Sequence, residues 1–305
     1  MSAGLTLRQL RYLVSVADHL HFGRAAQANH VSQPSLSAQI QQLEELLGVT
    51  LVERTQRRVL LTPAGEQAVA RARAILAAVD DLAAGAKASS RPLSGELRLG
   101  VFPTLGPYLL PRVLPGLRQA YPDLRLYLRE DLTERLLERL RGGDLDACLL
   151  ALPVDEPGVT CEALFDEPFL VALPPGHALA ARARVSESDL AEERLLLLED
   201  GHCFREQALK VCRIGSRDRD SVAATSLSTL CEMVAGRIGV TLLPALASTS
   251  LTIPGQIEIR PFPDPAPSRR IALVWRKASA READLRRLAD HLRAHLPEGA
   301  IEVAA

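Results

Sequence analysis

The sequence predicts an all-α N-terminal head that continues into a long helix, followed by a larger C-terminal α/β domain. Three observations carry this expectation. Residues 5–90 show apolar positions at helical spacing, interrupted by one short hairpin. The stretch "RPLSG" at 91–95 reads as a linker-like break. From residue 96 strand and helix patterns alternate, which argues a mostly parallel sheet covered by helices. A chain of 305 residues is long enough for two or three such units.

Composition narrows the classes. The chain is 47% hydrophobic and 24% charged, as expected for a globular protein, and its formal net charge of −1 gives no global signal for nucleic acid. A DNA contact would therefore have to come from a local patch. The 5 cysteines are an odd number and too few for a disulfide framework, so a reducing cytoplasm is the expected setting. Neither a signal peptide nor a run of about 18 apolar residues is visible, and no membrane partner is expected.

In the head, Ala25-Ala26-Gln27-Ala28 reads as a short helix and Asn29-His30-Val31 as a tight connection. Ser32 is a good N-cap for the next helix, Pro34 fits its first turn and Gly48 stops it. Leu36, Ile40, Leu43 and Leu47 form one stripe to be buried. The N-terminal turns then carry Ser32, Gln33, Ser35, Ser37 and Gln39, short neutral donors and acceptors of the kind that read base edges in a major groove. Two helices so joined form a helix-turn-helix. The following "LVERTQRRVLLT" reads as a hairpin, with Arg54, Arg57 and Arg58 placed for phosphate or minor-groove contact. Taken alone, the pattern also fits a small helical domain with solvated polar faces. Thr62-Pro63 starts the long helix, on which Ala72, Ile75, Val79 and Leu82 follow a 3,4 repeat. That seam suits pairing of two chains or packing within its own domain. Pairing is favoured because a two-fold DNA reader must present two recognition helices.

In the α/β part, strands are read at Glu96–Val101, Leu124–Leu128, Asp146–Leu150 and Ile271–Trp275. Helices are read at Gly106–Ala120, Leu132–Arg141 and around Ala280–Leu296. "EDGHCFREQALKVC" at 199–212 begins with a break at Gly201 and continues as a helix, with Phe204, Ala208 and Val211 or Leu209 at helical spacing. Cys203 and Cys212 then lie on opposite faces, separated by about 13 Å of rise, whereas a disulfide needs Cα atoms within about 7 Å. Either these are two unrelated thiols, or bonding them breaks the helix. Cys203 follows His202 at the helix start, where the dipole, His202 and Arg205 would favour thiolate.

The stretch "LRQLRYLVSVADHLHFGRAAQANHVSQPSLSAQIQQLEELLGVTLVER" resembles the winged helix-turn-helix of LysR-type transcriptional regulators nearly end to end. The resemblance implies a winged helix-turn-helix at 1–62, a linker and dimerisation helix at 63–90, a hinge at 91–95 and a two-lobed, periplasmic-binding-protein-like α/β effector domain at 96–305. Lobe I would comprise about 96–165 and 270–305, and lobe II about 166–269. Over most of 96–276, "EDGHC", the eight residues that follow, Cys212, "ATSLSTL" and "GVTLLPALA" resemble the peroxide-sensing branch of that family. This implies that Cys203 is the peroxidatic thiol and Cys212 the resolving one, joined by a reversible disulfide whose formation remodels the segment. It also implies a peroxide site with Thr104, Thr133, His202 and Arg269, with Arg270 as the alternative at the last position. Taken singly, Thr104 also suits a helix cap, Thr133 a surface position and Arg269 a solvated strand end. Cys148, Cys161 and Cys231 read as core or spare thiols.

Neither a metal-ligand spacing nor a phosphate loop is visible, and no metal or cofactor is expected. The expected partners are double-stranded operator DNA, hydrogen peroxide, RNA polymerase, a thioredoxin- or glutaredoxin-type reductant and further copies of the chain, as homodimer to homotetramer. Two other functions compete with a non-enzymatic peroxide-switched regulator. One is a LysR-type regulator that binds a metabolite co-inducer between its lobes, and the other is a thiol peroxidase.

Overall fold

The computed structural model describes residues 4–54, 59–87, 92–212, 223–251 and 255–302. It forms two compact units, one built on Met1–Ser89 and the other on Ser90–Leu140, Leu145–Lys277 and Arg281–Ala305.

The first unit contains α1 (Leu7–His19), α2 (Phe22–Ala28), α3 (Gln33–Leu47), the hairpin β1 (Val52–Arg54) and β2 (Val59–Leu61), and α4 (Pro63–Lys87). Each boundary has a local cause. Thr6 and Gln9 form a capping box at α1. His30 takes a left-handed conformation, φ 54°, which folds the α2–α3 connection into a tight turn. Ser32 Oγ accepts from Ser35 N at 3.3 Å to cap α3, and Gly48 at φ 69° ends it. Thr62 Oγ1 accepts from Gly65 N at 2.9 Å to cap α4. A Cβ on Gly65 would lie 2.1 Å from the Leu51 carbonyl oxygen, so only glycine lets α4 leave the hairpin this closely. Glu44 ties α3 to the hairpin, because its Oε1 accepts from Leu51 N at 2.8 Å and Val52 N at 3.0 Å.

Leu36, Ile40 and Leu43 are fully buried with Leu13, Val16 and Ala25. Leu47 is not: it stays 44% exposed, on the wall of an open apolar groove with Leu5, Leu43 and Val49. It lies at the last turn of α3, beyond the reach of the core. The α4 seam divides in the same way. Ala72 is buried at that groove beside Leu10 and Leu13, Val79 is half-buried, and Ile75 and Leu82 are exposed at 45% and 75%.

The second unit runs β3 (Gly95–Val101), α5 (Gly106–Ala120), β4 (Leu124–Glu130), α6 (Thr133–Gly142), β5 (Ala147–Ala151) and β6 (Val159–Leu173). It continues through β7 (Leu197–Leu198), α7 (Cys203–Cys212), β8 (Ala223–Ala224), α8 (Leu227–Ala235), β9 (Thr241–Pro244) and α9 (Ala245–Leu251). It closes with β10 (Glu258–Pro261), β11 (Ser268–Arg276), α10 (Glu282–Ala294) and β12 (Ile301–Glu302). The main sheet is mixed, in the order β10-β6-β11-β5-β3-β4, which corrects the mostly parallel expectation. Among the described residues, only the β3–β4 and β3–β5 pairings are parallel in it. β11 arrives from the last part of the chain, inserts between β5 and β6, and runs antiparallel to both.

Two hydrophobic cores share this sheet. The first gathers Leu97, Leu99, Val113, Leu136, Leu149, Trp275 and Leu288. The second gathers Phe169, Val171, Leu196, Phe204, Leu230 and Leu243. β6 passes from one to the other: Leu164 and Phe165 belong to the first core, Phe169 to Leu173 largely to the second.

Candidate functional site

Three connections bring the site together. β3 ends at Val101 and leads into Phe102-Pro103-Thr104. β4 ends at Glu130, ahead of Leu132 and of Thr133, the first residue of α6. Gly201, at φ 93°, turns the chain so that His202 precedes and Cys203 begins α7. A narrow, tightly packed cavity is lined by these segments: Phe102, Pro103, Thr104, Leu132, Thr133, Gly201, His202 and Cys203.

Arg269 stands behind Thr104. Strand alternation decides between the two arginines. Arg270 is exposed and paired with Asp166 at 2.8 Å, whereas the Arg269 side chain is wholly buried. Its Nε donates to Glu167 Oε2 at 2.8 Å, its Nη1 to Thr104 Oγ1 at 2.7 Å and its Nη2 to the Thr104 carbonyl at 2.8 Å. The guanidinium also lies over the Phe102 and Phe204 rings, 5.0 and 5.6 Å from their centroids. Thr104 does not cap α5, whose N-cap residue is Leu105 and which has no side-chain cap. Thr104 Oγ1 accepts from Arg269, which directs its own hydrogen elsewhere as a donor. Thr133 is not a surface hydroxyl: its Oγ1 is buried and makes no hydrogen bond of ordinary geometry, yet it faces the Cys203 sulfur closely enough to pull that thiol's pKa down.

The electrostatics differ from the expectation of a helix start flanked by two cations. Burial pushes the Cys203 thiol up and outweighs the lowering by Arg269, Thr133 and the Phe204 N–H. Burial also lowers His202, favouring its neutral form, against the pull of Glu199. Arg205 turns away, donating to the Leu198 carbonyl at 2.8 Å and pairing with Asp200 at 2.9 Å. The cation acting on the sulfur is thus Arg269.

All five cysteines are free thiols. Cys203 is half-buried and packs against the first core, while Cys212, at the far end of the intact α7, is buried in the second. Burial and Glu187 push the Cys212 thiol up to about 12. Cys148 and Cys231 are buried at about 12 and about 11, and Cys161 is exposed on β6. Among the described residues, no three of His, Cys, Asp and Glu gather to hold a metal ion, and no helix is long and apolar enough to cross a membrane.

On the head, Gln33 and Ser35 are exposed on the first turn of α3, with Ser37 and Gln39 half-buried behind them. Ser32 is also exposed, but its oxygen is occupied by the cap, and Gln39 donates to Gln42 at 2.9 Å. Arg54 is the last residue of β1, while Arg57 and Arg58 lie outside the described residues.

Glu167, Phe102 and Phe204 complete the site and were not singled out as site residues from sequence. For Glu167 a signal existed. A carboxylate within "FDEPFLVAL", a strand otherwise bound for the interior, needs a buried partner.

A capped reading helix with a hairpin beside it, and a separate unit holding a shielded thiol, define a DNA-binding regulator with a sensing domain. The family described as "Bacterial regulatory helix-turn-helix protein, lysR family" matches residues 7–66, and that described as "LysR substrate binding domain" matches residues 90–297. A probable hydrogen peroxide-inducible genes activator of Streptomyces viridosporus is 49% identical over 294 residues, covering 94% of this chain and 93% of that protein. The full-length structure of a cysteine-to-aspartate OxyR from Pseudomonas aeruginosa matches with a TM-score of 0.84 at 40% identity, covering 99% of each chain. A hydrogen peroxide-bound cysteine-to-serine OxyR from Corynebacterium glutamicum matches with a TM-score of 0.67 at 38% identity, covering 97% of this chain and 94% of that one. The chain belongs to the LysR family of bacterial regulators and, within it, to the OxyR group.

Proposed function

We propose that this protein is a peroxide-sensing transcription regulator in which Cys203 is oxidised and Cys212 resolves it. One observation carries the reading: the two thiols sit at opposite ends of one helix and in different cores, and Cys203 lies at a narrow cavity where Thr104, Thr133 and His202 converge. The Cys203 thiolate attacks one peroxide oxygen, the O–O bond breaks, and the departing hydroxide takes a proton and leaves as water. The sulfenic acid is then attacked by the Cys212 thiol, which forms the disulfide and releases a second water. The Thr104 hydroxyl is a directed donor for a peroxide oxygen. Thr133 supplies a second polar contact, neutral His202 a third, and Arg269 steadies the charge on sulfur and on the leaving oxygen. The peroxide-bound relative supports this assignment.

The head would use Gln33, Ser35, Ser37 and Gln39 for base edges and Ser32, Arg54, Arg57 and Arg58 for the backbone of operator DNA. Ile75, Val79 and Leu82 of α4 would pair two chains, with tetramers built from such dimers. The domain division is winged head 1–62, linker helix 63–90, hinge 91–95 and effector domain 96–305, whose two cores support a periplasmic-binding-protein-like pair of lobes. The protein would act in the cytoplasm beside DNA and RNA polymerase. A thioredoxin- or glutaredoxin-type reductant would return two electrons and reset the switch; fast multiple turnover with such a reductant would instead favour a thiol peroxidase.

Footprinting of reduced and peroxide-treated protein on its own promoter tests the reading. Peroxide should change the protected pattern for native protein and leave it unchanged for Cys203→Ser. A footprint that ignores peroxide but answers a small metabolite would replace this reading with the co-inducer one. In the same assay Gln33→Ala or Ser35→Ala should relax sequence choice, a lost base contact being worth about 1–3 kcal/mol, and Arg54→Ala should flatten the salt dependence. Val79→Asp should dissociate a fragment of residues 1–90 from dimer to monomer in sedimentation, because it buries an unpaired charge.

A further inference from the structure

Glu167 lies fully buried on β6 at the point where that strand passes between the two cores. Both of its oxygens are occupied. Oε2 accepts from Arg269 Nε at 2.8 Å and pairs with Nη2 at 2.7 Å, and Oε1 accepts from the Leu246 N–H at 3.0 Å. Glu167 stands directly opposite Arg269 in the β6–β11 register, so the strand pairing sets their approach. Arg269 is in turn fastened to both oxygens of Thr104. The Thr104 hydroxyl therefore takes its orientation from a guanidinium that takes its own from Glu167.

We propose that Glu167 is a positioning residue for the peroxide reaction: by clamping Arg269 against Thr104 it aims the Thr104 hydroxyl at the cavity and limits how much guanidinium charge acts on the Cys203 sulfur. The inference rests on the reading of Cys203 as the peroxide-reactive thiol. Arg269 lowers the Cys203 thiol against the effect of burial. A carboxylate on the same guanidinium partly cancels that charge. Glutamine cannot take over. It has one oxygen, so either Arg269 or the Leu246 N–H would face an amide NH₂, donor against donor.

The test follows two quantities in the reduced full chain. One is the pH midpoint for alkylation of Cys203 by iodoacetamide, resolved by mass spectrometry. The other is the rate of Cys203 oxidation by hydrogen peroxide, corrected to the thiolate present. In Glu167→Gln the midpoint should move to lower pH by about one unit, as an arginine loses its counter-charge near the thiol. The thiolate-corrected peroxide rate should fall on the order of tenfold or more, as a donor is lost from its place. Glu167→Asp keeps the charge but shortens the clamp, so its midpoint should stay near native while the corrected rate falls. A folded Glu167→Gln protein with native midpoint and native rate overturns the proposal. Should Glu167→Gln fail to fold, Glu167→Asp decides: a native rate overturns the proposal and a reduced one supports it. If native Cys203 is not oxidised at all, the underlying reading falls and the positioning role with it. If native Cys203 reacts and the variants match it, only the positioning role falls.

Discussion

Peroxide-treated protein is expected to gain a single crosslink, Cys203–Cys212, and to lose amide protection along α7. The geometry requires both. With α7 intact the two residues are nine steps apart, about 13 Å along the axis, and a disulfide holds Cα atoms within about 7 Å. The helix must therefore unwind. Phe204 and Ala208, buried on the same stripe as Cys212, are pulled from the second core with it. Exposing a side chain such as Phe204 alone costs about 1.5–3 kcal/mol, so the segment must repack rather than simply open. Cys203→Ser should give no crosslink. Cys212→Ser should accumulate sulfenic or over-oxidised Cys203 with amide exchange near native. Because the Cys203 thiol is held above its ordinary value, the thiolate fraction, and with it the rate, should climb as pH rises through the neutral range. Peptide mapping and hydrogen exchange on one sample separate the outcomes. A crosslink with unchanged exchange would leave the chemistry and discard the switch. A crosslink through Cys148, Cys161 or Cys231 would discard the pairing itself.

Arg269→Ala is expected to be among the most destabilising single changes in the second unit, by about 3–5 kcal/mol. It strands Glu167 in the interior with only the Leu246 N–H to answer its charge, and removes the hydrogen bonds that fix Thr104. Urea unfolding of native and variant protein measures the gap. A loss below about 1 kcal/mol would mean that Arg269 contributes little beyond packing. Arg269→Lys should recover only part of the loss, since an ammonium cannot span Glu167 and Thr104 as the planar guanidinium does.

Much of the head was legible in the residues, because its structure is made by near neighbours. Ser32, Pro34 and Gly48 bound a helix by local hydrogen bonding and backbone freedom, and they do so here. Leu47 shows the limit. The stripe identifies an apolar face but not where its partner surface ends. In the effector unit the strands and helices near Thr104, Thr133 and Cys203 could be placed from local pattern, but their convergence on one cavity could not. That convergence depends on β11 pairing with β6 across about a hundred residues of chain, a choice driven by burial of whole strands rather than by any short motif. The same pairing made the sheet mixed, separated Arg269 from Arg270 and placed Glu167 in the site. The thiol's environment was misjudged for a related reason: the charged neighbours in sequence, His202 and Arg205, are neutral or turned away, and the acting cation comes from β11.

The two cores are also finished at different times as the chain is made. The second draws its residues from a continuous stretch, Phe169 to Phe262, and has everything it needs once that stretch has emerged. The first joins Leu93 near its beginning to Leu292 near its end, and the Leu93 N–H is held by Asp284 at 3.1 Å. With synthesis at about 5–20 residues per second and domains folding from the N-terminal side, Cys212 gains its shelter first. Cys203 waits for β11 to bring Arg269 behind Thr104, and the first core it packs against waits for α10. A nascent chain thus passes through a stage in which one thiol of the pair is already housed and the other still lacks the groups that make it selective.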